Sequence, residues 1–185
     1  MKKIIIFSIV MIFCVAGYSQ QHHHHSKSSN TDLKEEVSFK KTAVLKSVIN
    51  NYLALNKALI NDDSKNASLA GNKLDSSLSN LDLSIYSSDE KEELKEIIES
   101  ARMNAQHIDK SIKEIFHQRE HLEFLTTDLK DLMEIMGADR ELYMFYCPMF
   151  NDGVYWIYDS KEVLNPYYGK KMQKCGEMKQ TIKTQ

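Results

Sequence analysis

Across residues 94–136 apolar side chains recur three and four positions apart, through Leu94, Ile97, Ala101, Ala105, Ile108, Leu122, Leu125, Leu129 and Leu132 to Met136. This is the stripe of an amphipathic helix. It commits the segment to helix–helix packing, because the apolar face must be covered. Ser87 followed by Glu90 can form a capping box at its start. An unbroken helix of roughly 50 residues would extend about 75 Å, far beyond the other helical segments, so a break is expected near residues 107–111. Gly137 supplies a stop.

Upstream, from residue 32, Val37, Leu45, Val48, Tyr52, Leu55 and Leu59 fall on a second stripe, and Asn61, Asp62 and Asp63 end it and cap the next helix. Ala67, Ala70, Leu74, Leu78 and Leu81 mark that next helix, with Gly71 inside it where close packing against a neighbour would favour a bare backbone. Beyond Gly137 the period changes. Residues 142–147 and 154–158 are rich in aromatic and β-favouring types, and Asn151-Asp152-Gly153 between them signals a hairpin turn. Asn165-Pro166-Tyr167-Tyr168-Gly169 reads as a tight turn. The expected fold is mainly α: an up-and-down bundle of about four helices with a short C-terminal β-hairpin and loop.

Lys2 and Lys3, an apolar run over residues 4–15 and the small or polar Ala16, Gly17, Tyr18 and Ser19 have the order of a secretory signal. Residues 1–19 are therefore read as a signal peptide, and the mature chain as periplasmic or secreted, with no membrane span after cleavage. Residues 20–31 form a His- and Ser-rich leader containing His22, His23, His24 and His25, expected to be disordered, and either a plain polar spacer or a weak binder of divalent or copper ions. Residues 32–185 are then a single helical-bundle domain, ending in a Cys-, Met- and aromatic-rich segment at 142–178. With 24 basic and 26 acidic residues interleaved along the helices, the chain has a net charge of −2 and lacks the basic stripe of a nucleic-acid binder.

The soft donors concentrate in that last segment: Cys147 and Met149 flank Pro148, and Met172, Cys175 and Met178 recur every third residue. Thiolate and thioether sulfur favour Cu(I) and, by extension, Ag(I). Residue chemistry alone favours a second outcome, since paired cysteines in an exported protein usually bridge. A Cys147–Cys175 disulfide would contribute about 3–4 kcal/mol through loop entropy. His117 and His121 share a helix face, with exposure expected for His117. Glu114-x-x-His117 is a lone pair where a di-iron bundle needs two. No phosphate loop, nucleophile elbow or His-Glu-x-x-His helix is present, so an enzyme is not expected.

Tyr146-Cys147-Pro148-Met149, Gly153, Trp156, the Asn165 to Gly169 run, Met172 and Cys175-Gly176-Glu177 resemble the C-terminal signature of a bacterial domain family of unknown function. Members of that family also occur fused to periplasmic adaptor subunits of copper/silver-type heavy-metal efflux pumps. Tyr52-Leu53 to Asp62-Asp63 and Gln118-Arg119-Glu120-His121 resemble its first and last helices. The resemblance implies a soft-metal site drawn from Cys147, Met149, Met172 and Cys175, with His121 at a position that could face it. It also implies a role in Cu(I) or Ag(I) sequestration or delivery, with an efflux-system adaptor or another periplasmic protein as partner. The alternative is a non-catalytic periplasmic interaction domain stapled by the disulfide, its aromatic hairpin docking on a partner. In either case the turn ending at Gly169 should fold Met172 and Cys175 back over Pro148.

Overall fold

The computed structural model describes residues 35–184. The expected signal peptide, the leader and its four histidines lie outside the described residues. Four helices follow one another: α1 (Lys46–Ile60), α2 (Ser64–Ser79), α3 (Ser88–Lys110) and α4 (Ile115–Met136). Consecutive helices pack on one another around Leu55, Leu59, Leu74, Leu94, Ile108 and Leu122, all buried. The Asp63 side chain accepts the Asn66 amide at 3.0 Å and caps α2, while Ser87 and Glu90 form the expected capping box on α3. Gly71 lets α2 lie against α3 so closely that a Cβ there would stand 2.8 Å from the Ala105 carbonyl oxygen.

The break between α3 and α4 falls where the length argument puts it. Ser111 turns its hydroxyl back to the His107 carbonyl at 2.7 Å, and Lys113 adopts φ +75 to reverse the chain. Buried Gln118 donates to the carbonyls of Ser64 and Ile108, each at 3.0 Å, and pins the connection onto α2 and α3. None of the helices among the described residues is long and apolar enough to cross a membrane.

The expected hairpin is present as β2 (Leu142–Cys147) and β3 (Val154–Tyr158), antiparallel, with Phe145 opposite and stacked on Trp156. It belongs to a larger sheet. β1 (Glu35–Phe39) and β4 (Glu177–Thr184) complete four strands in the order β1-β4-β2-β3, with β1 parallel to β4 and the other pairs antiparallel. Val37 therefore does not open the first helical stripe. It pairs with Ile182 in β1, half-buried like Phe39, while Glu36 and Ser38 between and before them are exposed. That two-residue alternation is the strand period, and it is too short to stand out beside the helical pattern that follows.

Helix α1 covers the free edge of β3. The Ile157 amide donates to Tyr52 Oη at 3.2 Å, and the Ile157 carbonyl accepts from Asn56 Nδ2 at 3.2 Å. Tyr167 Oη donates to the Tyr155 carbonyl at 2.6 Å on the same strand. An edge that would otherwise present unpaired backbone is thus capped by buried side chains, and it fixes the sheet against the bundle.

Candidate metal centres

Cys147 ends β2, fully buried, and Cys175 lies in the segment that leads into β4. Both are free thiols, with sulfurs 3.4 Å apart. Cys175 Sγ also lies 3.6 Å from the Sδ of Met149, an exposed residue of the β2–β3 turn. Three of the four sulfur residues expected to form the site, Cys147, Met149 and Cys175, therefore converge. Met172 enters differently: its carbonyl accepts the Cys175 amide at 3.0 Å and shapes the turn.

Two anchors hold Cys175 in place. Asn165, fully buried, donates from Nδ2 to the Cys175 carbonyl at 2.7 Å, while its Oδ1 accepts the amides of Tyr167 and Tyr168 at 2.8 and 3.1 Å. Arg119 of α4 donates to the Pro166 carbonyl at 2.8 Å, to the Leu59 carbonyl at 3.0 Å and to Asp62 Oδ1 at 2.6 Å. Gly169 makes the reversal expected of it, at φ +53, packed so tightly on Asp62 and Arg119 that a side chain would collide with both. Tyr168 Oη reaches the Met149 carbonyl at 2.7 Å and ties this strap to the hairpin turn. Burial pushes the Cys175 thiol above its ordinary range, and the neighbouring Cys147 adds to the effect. The thiol is thus protonated at neutral pH.

His121 lies in a second cluster. Helix positions 116, 119 and 123 turn toward the strap and hairpin, where Phe116 packs on Phe150 at 5.6 Å between ring centroids and Asn151 reaches Glu123 at 3.4 Å. His117 and His121 are about 100° further round the helix and turn toward α3. There His107 joins them, stacked on His121 at 4.4 Å between centroids, and one nitrogen from each ring lies within 4.8 Å of the others. The sequence expectation that His121 faces the sulfurs, and that His117 is simply exposed, is corrected by this arrangement, in which His117 and His121 are both half-buried.

The nitrogens of His117 and His121 are individually tied. His117 Nδ1 is 3.0 Å from Glu120 Oε2, His121 Nδ1 is 2.9 Å from Asn104 Oδ1, and the two Nε2 atoms are 3.2 Å apart. Burial, with His107 and His117 nearby, lowers the pKa of His121 and keeps it neutral at pH 7. His107 went unmarked in the sequence except as part of a helix break. The signal was there: a helical hairpin reversing near residues 111–114 brings positions at similar distances from the turn face to face. Among the described residues these three imidazoles could hold a metal ion.

No curated protein and no solved structure matches this chain. A family profile described as "Protein of unknown function (DUF3347)" matches residues 48–141, a span that takes in all but the first two residues of α1, the other three helices and the histidine cluster, and ends just before β2. By that match across half of its length, the chain belongs to the DUF3347 family, whose function is unknown.

Proposed function

We propose that this chain is an exported Cu(I)- or Ag(I)-binding protein that sequesters the ion or passes it to an efflux system. The ion is held by Cys147, Cys175 and Met149. The observation that carries this reading is the convergence of two free thiols and a thioether, at 3.4 and 3.6 Å, on one edge of a braced strap. Sulfurs bound to one metal at about 2.3 Å sit about 3.8 Å apart in a tetrahedral arrangement, so a few tenths of an ångström separate the free and loaded geometries. Two thiolates and a thioether suit a soft monovalent ion. Binding displaces the thiol protons. Met172 contributes the shape of the turn through its carbonyl. The signal-like N-terminus and the resemblance to domains fused to efflux adaptors support the exported setting and an adaptor-like partner.

Anaerobic titration of the reduced chain with Cu(I) against a chromophoric chelator tests the proposal. One tightly held ion per chain is expected, with Cys147→Ser and Cys175→Ser each abolishing it. Unchanged affinity in both variants would overturn it.

A second reading rests on the same 3.4 Å approach of the thiols. Oxidised, they would staple the strap to the hairpin and leave a non-catalytic interaction domain, with exposed Tyr155 and Met149 on its surface. Intact mass before and after reductant separates the two, since a bridge removes two hydrogens.

A further inference from the structure

His121 Nδ1 faces an oxygen whose identity the surrounding bonds assign. Asn104 is buried, and its Nδ2 donates to the Ser100 carbonyl at 3.0 Å and reaches Asp128 Oδ2 at 3.4 Å, so its Oδ1 is the atom turned to the imidazole. An acceptor there requires the proton on Nδ1. His117 Nδ1 faces a carboxylate oxygen of Glu120, which imposes the same tautomer. With the proton on Nδ1, the neutral form of either ring leaves Nε2 with a lone pair and no proton. Yet these two atoms point at each other across 3.2 Å.

Two lone pairs at hydrogen-bond distance repel unless a cation lies between or beside them. A shared proton or a bound metal ion would each meet that need, and the imidazole tautomers with and without metal tell them apart. A metal fits the spacing: two imidazole nitrogens on one tetrahedral ion at 2.0–2.1 Å stand about 3.3 Å apart. Ligating histidines characteristically give their second nitrogen to a carboxylate or carbonyl oxygen, which fixes ring orientation. Glu120 and Asn104 already occupy those positions. His107, exposed and stacked on His121, can bring a third nitrogen from the facing helix with a rotation of its own side chain.

We propose that His107, His117 and His121 form a second metal site, between α3 and α4, for a borderline divalent cation of the Zn2+, Cu2+ or Ni2+ class. Its donors are neutral imidazole nitrogens, which suit that class. It thus differs from the sulfur site in donor chemistry and in the oxidation state of the ion. Because the rings face α3 and the sulfurs lie on the strap side of α4, each site can be removed without the other.

The test uses the full chain carrying Cys147→Ser, Cys175→Ser, His22→Ala, His23→Ala, His24→Ala and His25→Ala, so that neither the sulfurs nor the leader can bind. Zn2+ is titrated against a chromophoric chelator, and long-range proton–nitrogen NMR reads the imidazole tautomers. Expected are one Zn2+ per chain, Nδ1–H tautomers at His117 and His121 before addition, and a shift of both Nε2 resonances after it. His117→Ala or His121→Ala should abolish binding. Glu120→Gln, at a half-buried positioning residue, should weaken it by about tenfold with unchanged stoichiometry. The parent chain compared with its own His117→Ala variant reads the same site should the multiply substituted background lose its helical circular dichroism. Absence of stoichiometric Zn2+ uptake, affinity unchanged in His117→Ala, or Nε2–H tautomers that ignore Zn2+ would each overturn the proposal, whatever Cu(I) does at the cysteines.

Discussion

Arg119 Nε donates to the Pro166 carbonyl at 2.8 Å, joining the second turn of α4 to a strap 47 residues further along the chain. Through the same guanidinium the strap is tied to the last turn of α1, at the Leu59 carbonyl and Asp62. Arg119→Met would leave the Pro166 carbonyl unpaired and the Leu59 carbonyl with backbone amide donors alone, while Asp62 keeps its charge. A loss of about 3 kcal/mol is expected, read as a lower urea midpoint. Arg119→Lys should recover little of it, because one ammonium cannot replace a planar fork with three acceptors in fixed directions.

Gly71→Ala should destabilise despite the better helix propensity of alanine, worth about 1 kcal/mol. The added methyl meets the Ala105 carbonyl oxygen at 2.8 Å and the Asp109 amide nitrogen at 3.1 Å, both backbone atoms of α3 that cannot swing aside. Thermal unfolding should show a lower midpoint, and a raised one would mean that α2 and α3 are not packed this closely.

The helical part of the fold was readable because its signals are local. The capping box at Ser87, the stop at Gly137 and the length limit on one helix each act within a few residues. The outer half of the sheet was not, since β1 and β4 lie at opposite ends of the domain and pair in parallel across the whole sequence. β4 also carries Lys179, Gln180, Thr181 and Lys183, whose polar composition hides a strand in which Gln180 and Ile182 are buried. At the sites, the cysteines and Met149 were found from chemistry alone. Asn165 and Arg119 were visible only as parts of motifs, because their roles rest on backbone partners that no spacing encodes. His107 needed the helical hairpin to be drawn first.

Asp128 supplies a pH test. Burial raises its carboxyl pKa, hydrogen bonds from Ser100 and Asn104 partly offset this, and Asp131 raises it further. A carboxyl whose folded pKa exceeds its unfolded value binds its proton more tightly when folded. Its contribution is therefore fully present below the unfolded value near 4 and is lost as pH rises through the folded value. Asp128→Asn removes that loss. The melting temperature of the variant relative to the parent should be higher at pH 7 than at pH 3, and an equal difference at both would count against a buried, penalised carboxylate.

The thiols should differ in reactivity. Cys147 is fully buried, and Cys175 is partly accessible with its pKa raised by burial. Iodoacetamide at pH 7 should label the native, reduced chain slowly and at Cys175 first, the rate rising toward pH 9 as thiolate forms. Prior loading with one equivalent of Cu(I) should protect it. Fast labelling of Cys147 would contradict its placement at the end of β2.

X-ray absorption at the copper edge of the reduced chain carrying one Cu(I) addresses the sulfur site most directly, because it counts the neighbours of the ion and identifies them by element. Three sulfur scatterers near 2.3 Å and no nitrogen are predicted for Cys147, Cys175 and Met149, with one sulfur lost in Met149→Leu. A first shell of nitrogen, or a spectrum unaltered by Cys147→Ser and Cys175→Ser, would contradict the account.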